Sequence, residues 1–320
     1  MIIFNIIKTS EMNSEIIRNL KILQEYEKLN KQPFKANAYN KVIDAIELCE
    51  SEIKIGTDLK KIKGLGKGIE KKILQLLEKG TIDEVEVVLK NEKYLLSKKL
   101  IGIYGIGPAK INELMEKITS FDQLYLDENK HLLNNKQKIG LKYYEDLEKR
   151  IPYAEGKQHH KIIKKAISQI DKDITFEMVG SYRRKNKDMG DIDILIRDNG
   201  SFSLKTLISN LQSNNYVIES LASGKNKFMG ICKIEDLPAR RIDILIADPS
   251  YYYFALLYFT GSYNFNIYMR RIALKKGLSL SEYGFKDNAT KQMLDTSDVI
   301  NSEQDIFKYI DIPYTLPNKR

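Results

Sequence analysis

Cysteine is scarce in this chain: two in 320 residues, Cys49 and Cys232. They lie far apart and form no metal-ligand spacing. A disulfide framework and a zinc module are excluded on that ground, and a reducing interior fits. Cys232 falls in an apolar run and is expected in a core. The three histidines, His131, His159 and His160, also lack ligand spacing and read as surface residues. No uninterrupted apolar run reaches the roughly 20 residues of a membrane helix, so no membrane partner is expected. The opening Met1-Ile2-Ile3-Phe4-Asn5-Ile6-Ile7 is apolar but short. It has neither a basic start nor a cleavage site, and it reads as a loosely ordered leader.

What is present is a globular composition. Hydrophobic residues make up 42% of the chain, and 320 residues suffice for two or more domains with cores. The formal net charge of +9 suits a polyanionic partner without proving one.

The most informative stretch is Gly180-Ser181-Tyr182-Arg183-Arg184, followed by Met189-Gly190-Asp191-Ile192-Asp193-Ile194-Leu195-Ile196. It reads as a turn feeding a strand. Alternation puts Asp191 and Asp193 on one face and Ile192, Ile194 and Ile196 on the other. Paired carboxylates on one pleat repel each other unless divalent cations lie between them. The Gly-Ser turn offers N–H groups and a hydroxyl to phosphate oxygens, and the two arginines add charge. A second apolar strand, Arg240-Arg241-Ile242-Asp243-Ile244-Leu245-Ile246, brings a third acid. An isolated D-x-D could be surface acids on an edge strand. The turn at fixed offset and the second strand point instead to two-metal phosphoryl or nucleotidyl transfer.

Upstream, apolar residues at helical spacing predict a helical region over about 13–87: Ile16, Ile17, Leu20, Leu23 and Tyr26, then a second helix from Ala36 to Leu48. Ile62-Lys63-Gly64-Leu65-Gly66-Lys67-Gly68-Ile69 then reads as a helix-hairpin-helix turn. Its glycines let backbone N–H groups approach a phosphate at the N-terminus of the next helix. The pattern returns in Leu100-Ile101-Gly102-Ile103-Tyr104-Gly105-Ile106-Gly107-Pro108-Ala109-Lys110, before a helix from Ile111 to Ile118. One Gly-x-Gly could be a mere helix cap. Two hairpins about forty residues apart in a basic chain indicate nucleic acid held through phosphates. Downstream, a helix is expected over Lys161–Ile170 and a covering helix over Ser201–Leu211. A strand from Ser223 to Cys232 should pair with the Asp243 strand. The class is α+β, with helices on one face of a mixed sheet.

The palm-like acids, the twin hairpins and the later string Tyr258-Phe259-Thr260-Gly261-Ser262 together resemble family X DNA polymerases over nearly the whole chain. The resemblance implies a helical lyase-like domain with the first hairpin (1–87) and a helical DNA-binding subdomain with the second (88–151). A catalytic palm (152–248) and a nascent base-pair or nucleotide-binding subdomain (249–320) would follow. It implies a gap-filling, DNA-directed DNA polymerase of base excision repair, acting on gapped or primed DNA and deoxynucleoside triphosphates as an intracellular monomer. The compartment would be the nucleus, or the cytoplasm if the source is a cytoplasmic DNA virus.

By the same resemblance, Asp191 and Asp193 bridge two Mg²⁺ ions, for which Mn²⁺ can substitute. Asp243 holds one of them and accepts the primer proton. Gly180, Ser181, Arg184 and Gly190 bind the triphosphate. Tyr258, Phe259 and Gly261 form the sugar wall, Asn266 meets the incoming base, and Arg270 supports the templating base. Gly64 and Gly66, with Gly105 and Gly107, hold the DNA strands. Backbone carbonyls of Lys60, Ile62 and Leu65, and of Ile101, Ile103 and Ile106, hold monovalent cations (Na⁺ or K⁺). Lys72 falls on the Schiff-base position of a deoxyribose-phosphate lyase, with Lys35 and Tyr39 placed for a 5′-phosphate. Chemically such a lysine must be partly neutral to attack an aldehyde. Departures from the family pattern are Phe34 for a histidine, Gly68 for a lysine and Glu84 for a basic residue. In the palm and beyond, Met189 replaces a hydroxyl residue, Leu245 an arginine and Tyr263 an aspartate. Two other classes share parts of the pattern: a template-independent transferase and a catalytically silent DNA-binding scaffold. The twin hairpins and Arg270 argue against the first, and the three acids against the second.

Overall fold

A computed structural model describes residues 11–320 apart from 48 and 50. The apolar leader lies outside the described residues. The chain divides into two compact units, up to Leu141 and from Lys142 onward.

The first unit is helical: α1 (Glu11–Leu29), α2 (Pro33–Glu47), α3 (Lys67–Lys79), α4 (Asp83–Leu89), α5 (Glu92–Gly102), α6 (Pro108–Met115) and α7 (Asn135–Lys142), the last ending at the unit boundary. The apolar stripe of α1 packs with Val42, Ile43 and Ile46 of α2, Ile69, Ile73 and Leu76 of α3, and Val85 and Val88 of α4. Burying side chains of this kind contributes roughly 1.5–3 kcal/mol each, which is why the amphipathic spacing dictates the bundle. Asn13, buried in the first turn of α1, receives the Ile53 N–H at 2.8 Å and donates to the Ser51 carbonyl at 3.0 Å. The loop between α2 and α3 is thereby tied to the helix start.

The second unit begins with α8 (Tyr144–Leu147), β1 (Ile151–Pro152) and α9 (Tyr153–Ile170). Next come β2 (Phe176–Met178), α10 (Gly180–Arg183), β3 (Asp188–Met189), β4 (Ile192–Arg197) and α11 (Leu204–Ser213). Then follow β5 (Val217–Ser223), β6 (Lys227–Cys232), β7 (Arg240–Ala247), α12 (Tyr252–Thr260), α13 (Tyr263–Lys275), β8 (Leu278–Ser281), β9 (Gly284–Asp287) and α14 (Glu303–Tyr309). Five strands make a mixed sheet in the order β2-β4-β7-β6-β5. Strands β4 and β7 are its interior members and run parallel. They are not edge strands, and their aliphatic runs match burial on both faces. Ile192, Ile194 and Ile196 join Ile242, Ile244 and Ile246 in the core beneath α9 and α11. On the opposite face Leu195 packs with Val179, Ala247, Tyr252 and Ala255. The pleat therefore turns Asp193 and Asp243 together, away from the isoleucine core.

Some expectations fail. Helices cover both faces of the sheet, with α12 packed opposite α9 and α11. The strand expected from Ser223 begins at Lys227, and Ser223 ends β5. His159 is fully buried, not a surface residue. Its Nδ1 lies 2.7 Å from the Tyr216 hydroxyl and its Nε2 lies 3.5 Å from Glu155, which pairs with the buried Arg240. Burial pushes the His159 pKa down to about 4, against the pull of Glu155, so the ring is neutral at physiological pH. Helical periodicity would have marked the position, since His159 falls one turn before Ile163 on the buried stripe of α9. His160 is half-buried and stacks on Tyr182 and Phe176, while His131 is exposed.

Candidate active site

Register brings the acids together. Strand β4 pairs with β7 so that Asp193 stands opposite Asp243, and Asp191 sits just before β4. Each carboxylate can offer an oxygen within 4.8 Å of the others, and all three are partly exposed. Asp243 Oδ1 is buried without a hydrogen-bond partner. The Asp193 pKa is raised to about 7, first by burial and then by the charge of Asp243, with Arg184 opposing. Burial also raises Asp243, against Arg241 and Lys227. A neglected buried oxygen and mutually repelling acids are what a divalent cation would satisfy, and an all-oxygen donor set suits Mg²⁺ or Mn²⁺. The residues fit the group.

The cation touching these acids in the protein itself is Arg241. Its Nη2 donates to Asp191, and its Nε lies 3.7 Å from Asp243 Oδ1. In the sequence Arg241 is only one of two arginines opening a strand, and no spacing marks it for this role.

The Gly180-Ser181 turn is a single helical turn, α10, entered through Gly180 at φ +55°. A Cβ there would lie 2.4 Å from Asp193 Oδ2, so both backbone conformation and space require glycine. Arg184 donates to Ser181 Oγ at 3.0 Å and to the Thr260 carbonyl at 2.6 Å. Beside it Arg183 forks onto Glu303 at 2.9 and 3.1 Å and reaches Thr260 Oγ1 at 2.7 Å. Glu303 also receives Arg320 at 2.6 Å and the Tyr314 hydroxyl at 3.0 Å. Glu303 and Arg320 carry no sequence signal, because a Glu and an Arg seventeen residues apart match no motif.

Helix α12 ends at Thr260, Gly261 follows at φ +66°, and the Gly261–Ser262 peptide is cis. Ser262 caps α13 by accepting the Phe265 N–H at 3.4 Å. Tyr258 and Phe259 stand edge to face with centroids 5.1 Å apart. Asn266 donates to the Tyr258 carbonyl at 2.8 Å, and the Arg270 guanidinium lies 5.4 Å from the Tyr258 ring centre. One face of α13, four residues apart, thus brings Asn266 and Arg270 to the aromatic wall. Gly190 joins β3 to β4 beside Arg150, which pairs with Asp188 at 2.9 Å.

In the first unit the two hairpins repeat each other. Gly64 and Gly105 both adopt φ +82°. Gly66 caps α3 and Gly107 caps α6, the latter followed by Pro108 at the first helical position. The Leu65 N–H donates to the Ile62 carbonyl at 3.2 Å, and the Ile106 N–H donates to the Ile103 carbonyl at 3.1 Å. Each of those carbonyls keeps a second lone pair. Lys60 lies in a 3₁₀ turn and Ile101 in the last turn of α5.

The pocket around Lys72 lies among α1, α2, α3 and α4. Lys72 Nζ is 2.8 Å from Glu84 Oε2 and also meets the Tyr39 hydroxyl. Burial alone would lower the Lys72 pKa, but Glu84 and Tyr39 together outweigh it and raise it. Lys35 pairs with Glu27 at 3.5 Å. Tyr39 is only 5% exposed, so its hydroxyl serves Lys72 more directly than solvent. Phe34 is 90% exposed, and Gly68 has open space around it.

Four family models match the chain in order. A helix-hairpin-helix domain matches residues 11–82, the fingers domain of DNA polymerase lambda 98–148, the DNA polymerase beta palm 150–249 and the DNA polymerase beta thumb 255–320. DNA polymerase lambda of Rattus norvegicus is 26% identical over 336 residues, covering 98% of this chain and 57% of the relative. DNA polymerase lambda of Arabidopsis thaliana is 26% identical over 305 residues, covering 88% of this chain and 57% of the relative. The chain therefore spans little more than half the length of these curated relatives.

Proposed function

The chain belongs to the family X DNA polymerases, and from that premise we propose that it fills short gaps in DNA as a template-directed polymerase of base excision repair. The observation that carries this is the pairing of Asp193 with Asp243 across parallel interior strands, beside the Gly180 turn. The proposed substrates are gapped or primed DNA and deoxynucleoside triphosphates. A DNA substrate goes with an intracellular setting, the nucleus or, for a cytoplasmic DNA virus, the cytoplasm, and a monomer suffices.

Asp191, Asp193 and Asp243 would hold two Mg²⁺ ions, which supply Lewis acidity to the phosphate oxygens and lower the pKa of the primer hydroxyl. Ser181 Oγ and Arg184, already hydrogen-bonded to each other, turn toward the triphosphate. The Gly180 and Gly190 backbones allow close approach. Asp243 takes the proton of the primer 3′-hydroxyl as that oxygen attacks the α-phosphorus and pyrophosphate leaves. Tyr258 and Phe259 form the sugar wall, and the Gly261 bend crowds a ribose 2′-hydroxyl. Asn266 reads the incoming base from the minor-groove side, and Arg270 backs the templating base. Gly64, Gly66, Gly105 and Gly107 present N–H groups to the two DNA strands. The carbonyls of Lys60, Ile62 and Leu65, and of Ile101, Ile103 and Ile106, hold Na⁺ or K⁺ there. Lys72 is the amine of a deoxyribose-phosphate lyase, with Lys35 and Tyr39 beside it.

The test is single-nucleotide incorporation with Mg²⁺ on gapped, open and template-free DNA. Template-directed insertion favouring the gap is expected. Extension without a template would move the chain to the terminal-transferase class, and absence of incorporation would leave a DNA-binding scaffold.

A further inference from the structure

The charges around Lys72 are disposed in pairs. Each of the pocket's lysines is already matched to a carboxylate: Lys72 to Glu84 at 2.8 Å and Lys35 to Glu27 at 3.5 Å. Glu84 stands in the first turn of α4, which faces α3 across the Lys72 side chain. The Lys72 side chain is 23% exposed and that of Glu84 is 44% exposed, so solvent screens their attraction only in part.

Two consequences follow from elementary electrostatics. A lysine amine attacks an aldehyde only when neutral, and an adjacent carboxylate favours the ammonium. A phosphate dianion seeking the same ammonium must displace that carboxylate or sit beside it against like-charge repulsion. Among the described residues, the groups that meet Lys72 are the Glu84 carboxylate and the Tyr39 hydroxyl, neither of them a cation. From α2 comes the Tyr39 hydroxyl, from α4 comes Glu84, and Lys35 of α2 is engaged by Glu27 of α1.

We propose that Glu84 is the specificity-determining residue of this pocket: an internal counter-ion that holds Lys72 as ammonium and disfavours a 5′-phosphate. This rests on the lyase reading of Lys72 given above. The wild-type pocket then forms the imine slowly and discriminates little between 5′-phosphorylated and 5′-hydroxyl gaps. Removing one carboxylate opens it. The Lys72 amine loses its proton to solvent, and its nitrogen adds to C1′ of the incised abasic sugar. Water leaves as the imine forms, and C3′–O cleavage follows loss of the C2′ proton, so no added oxidant or reductant is needed.

The experiment compares wild type, E84Q, E84K and K72A on an incised abasic site, trapping the imine with borohydride across pH. Glu84→Gln is nearly isosteric on an exposed helix turn, and its fold can be verified by thermal melting. About tenfold faster trapping is expected for E84Q near neutral pH, and more for E84K. The gap between E84Q and wild type should close as pH rises and the wild-type amine also deprotonates. Binding to a 5′-phosphorylated gap, relative to a 5′-hydroxyl gap, should improve from wild type to E84Q to E84K. An adduct of equal yield in wild type and E84Q, lost in K72A, overturns the counter-ion role and leaves the lyase reading standing. Slower trapping in E84Q also overturns it, since Glu84 would then assist as a proton acceptor. No adduct in wild type, E84Q or E84K overturns the lyase reading and the proposal with it.

Discussion

The two units solve opposite electrostatic problems. In the second, three carboxylates converge, and Arg241, which among the described residues is the cation paired with them, leaves Asp243 Oδ1 unsatisfied. In the first, the pocket lysines are each closed off by a carboxylate. The palm site is incomplete without a cation, whereas the helical pocket is already neutralised. Partly buried like charges are costly unless a cation or a proton offsets them, whereas a lysine beside a carboxylate is already offset within the protein. That contrast supports the proposed reading of the palm acids as the centre of chemistry and of the Lys72 pocket as the attenuated one.

The largest effect expected is in the palm. On the proposed mechanism, Asp243→Asn removes a proton acceptor and a metal ligand while keeping shape. A loss of about a thousandfold or more in kcat is expected, on the scale of a lost metal or electrostatic element. DNA affinity, measured by gel shift, should be nearly unchanged. Near-normal turnover in this variant would erase the difference between the two units.

Next is Gly180→Ala. The new methyl would fall 2.4 Å from Asp193 Oδ2, and alanine is strained at φ +55°. Displacing one carboxylate by a fraction of an ångström should lower kcat by about a hundredfold. Single-turnover insertion at saturating nucleotide checks it. A wild-type rate would mean that the turn does not position the acid.

The third prediction concerns pH without metal. The folded-state pKa of Asp193 is about 7, against an unfolded value of about 3.9. At Asp193 the native protein therefore holds more proton than the unfolded chain between those values, so the Asp193 contribution to stability falls as pH rises from 4 to 7 and levels off above, while His159, held neutral by burial, contributes in the opposite sense between about 4 and 6.5. In chelator, the melting temperature of wild type relative to that of Asp193→Asn should drop over that interval. Mg²⁺ should raise it more at pH 8 than at pH 5, because the cation competes with the proton for the same oxygens. Equal Mg²⁺ shifts at both pH values would detach the acids from the metal.

Much of this contrast was legible in the sequence, and the reasons are physical. Strand alternation placed Asp193 opposite the isoleucines, and glycine at fixed offset located both the phosphate turn and the hairpins. These are local rules acting over a few residues. The β4–β7 pairing that aligns Asp193 with Asp243 was foreshadowed by their shared texture, but register is a tertiary fact. The partners of charged residues were not legible. Arg241 on Asp191, Glu303 between Arg183 and Arg320, and Glu84 on Lys72 are all set by side chains meeting across elements. Buried His159 was missed because an isolated histidine carries no sign of the tyrosine and glutamate that house it.

The smallest effects are expected at the hairpins, which belong to neither centre. Gly64 and Gly105 share φ +82°, and a Cβ at either would meet only side-chain carbon, Lys41 at 3.4 Å or Gln137 at 3.5 Å. Space is available, so the penalty of Gly→Ala is backbone strain, about 1 kcal/mol beyond the ordinary cost. On the proposed reading the strain acts on a turn whose N–H groups address phosphates, which carry no sequence information. Each substitution should therefore weaken DNA binding about three- to tenfold, equally for unrelated sequences. Wild-type affinity should fall steeply with salt, and the slope of log K against log salt should stay the same in both variants, because no charge is lost. By contrast, Lys→Ala on a phosphate-contacting lysine should lower the slope by about one. A titration series at several salt concentrations on two unrelated gapped duplexes distinguishes the cases. A sequence-dependent loss would give the hairpins a base-reading role, and a flat salt dependence would remove the phosphates from the contact altogether.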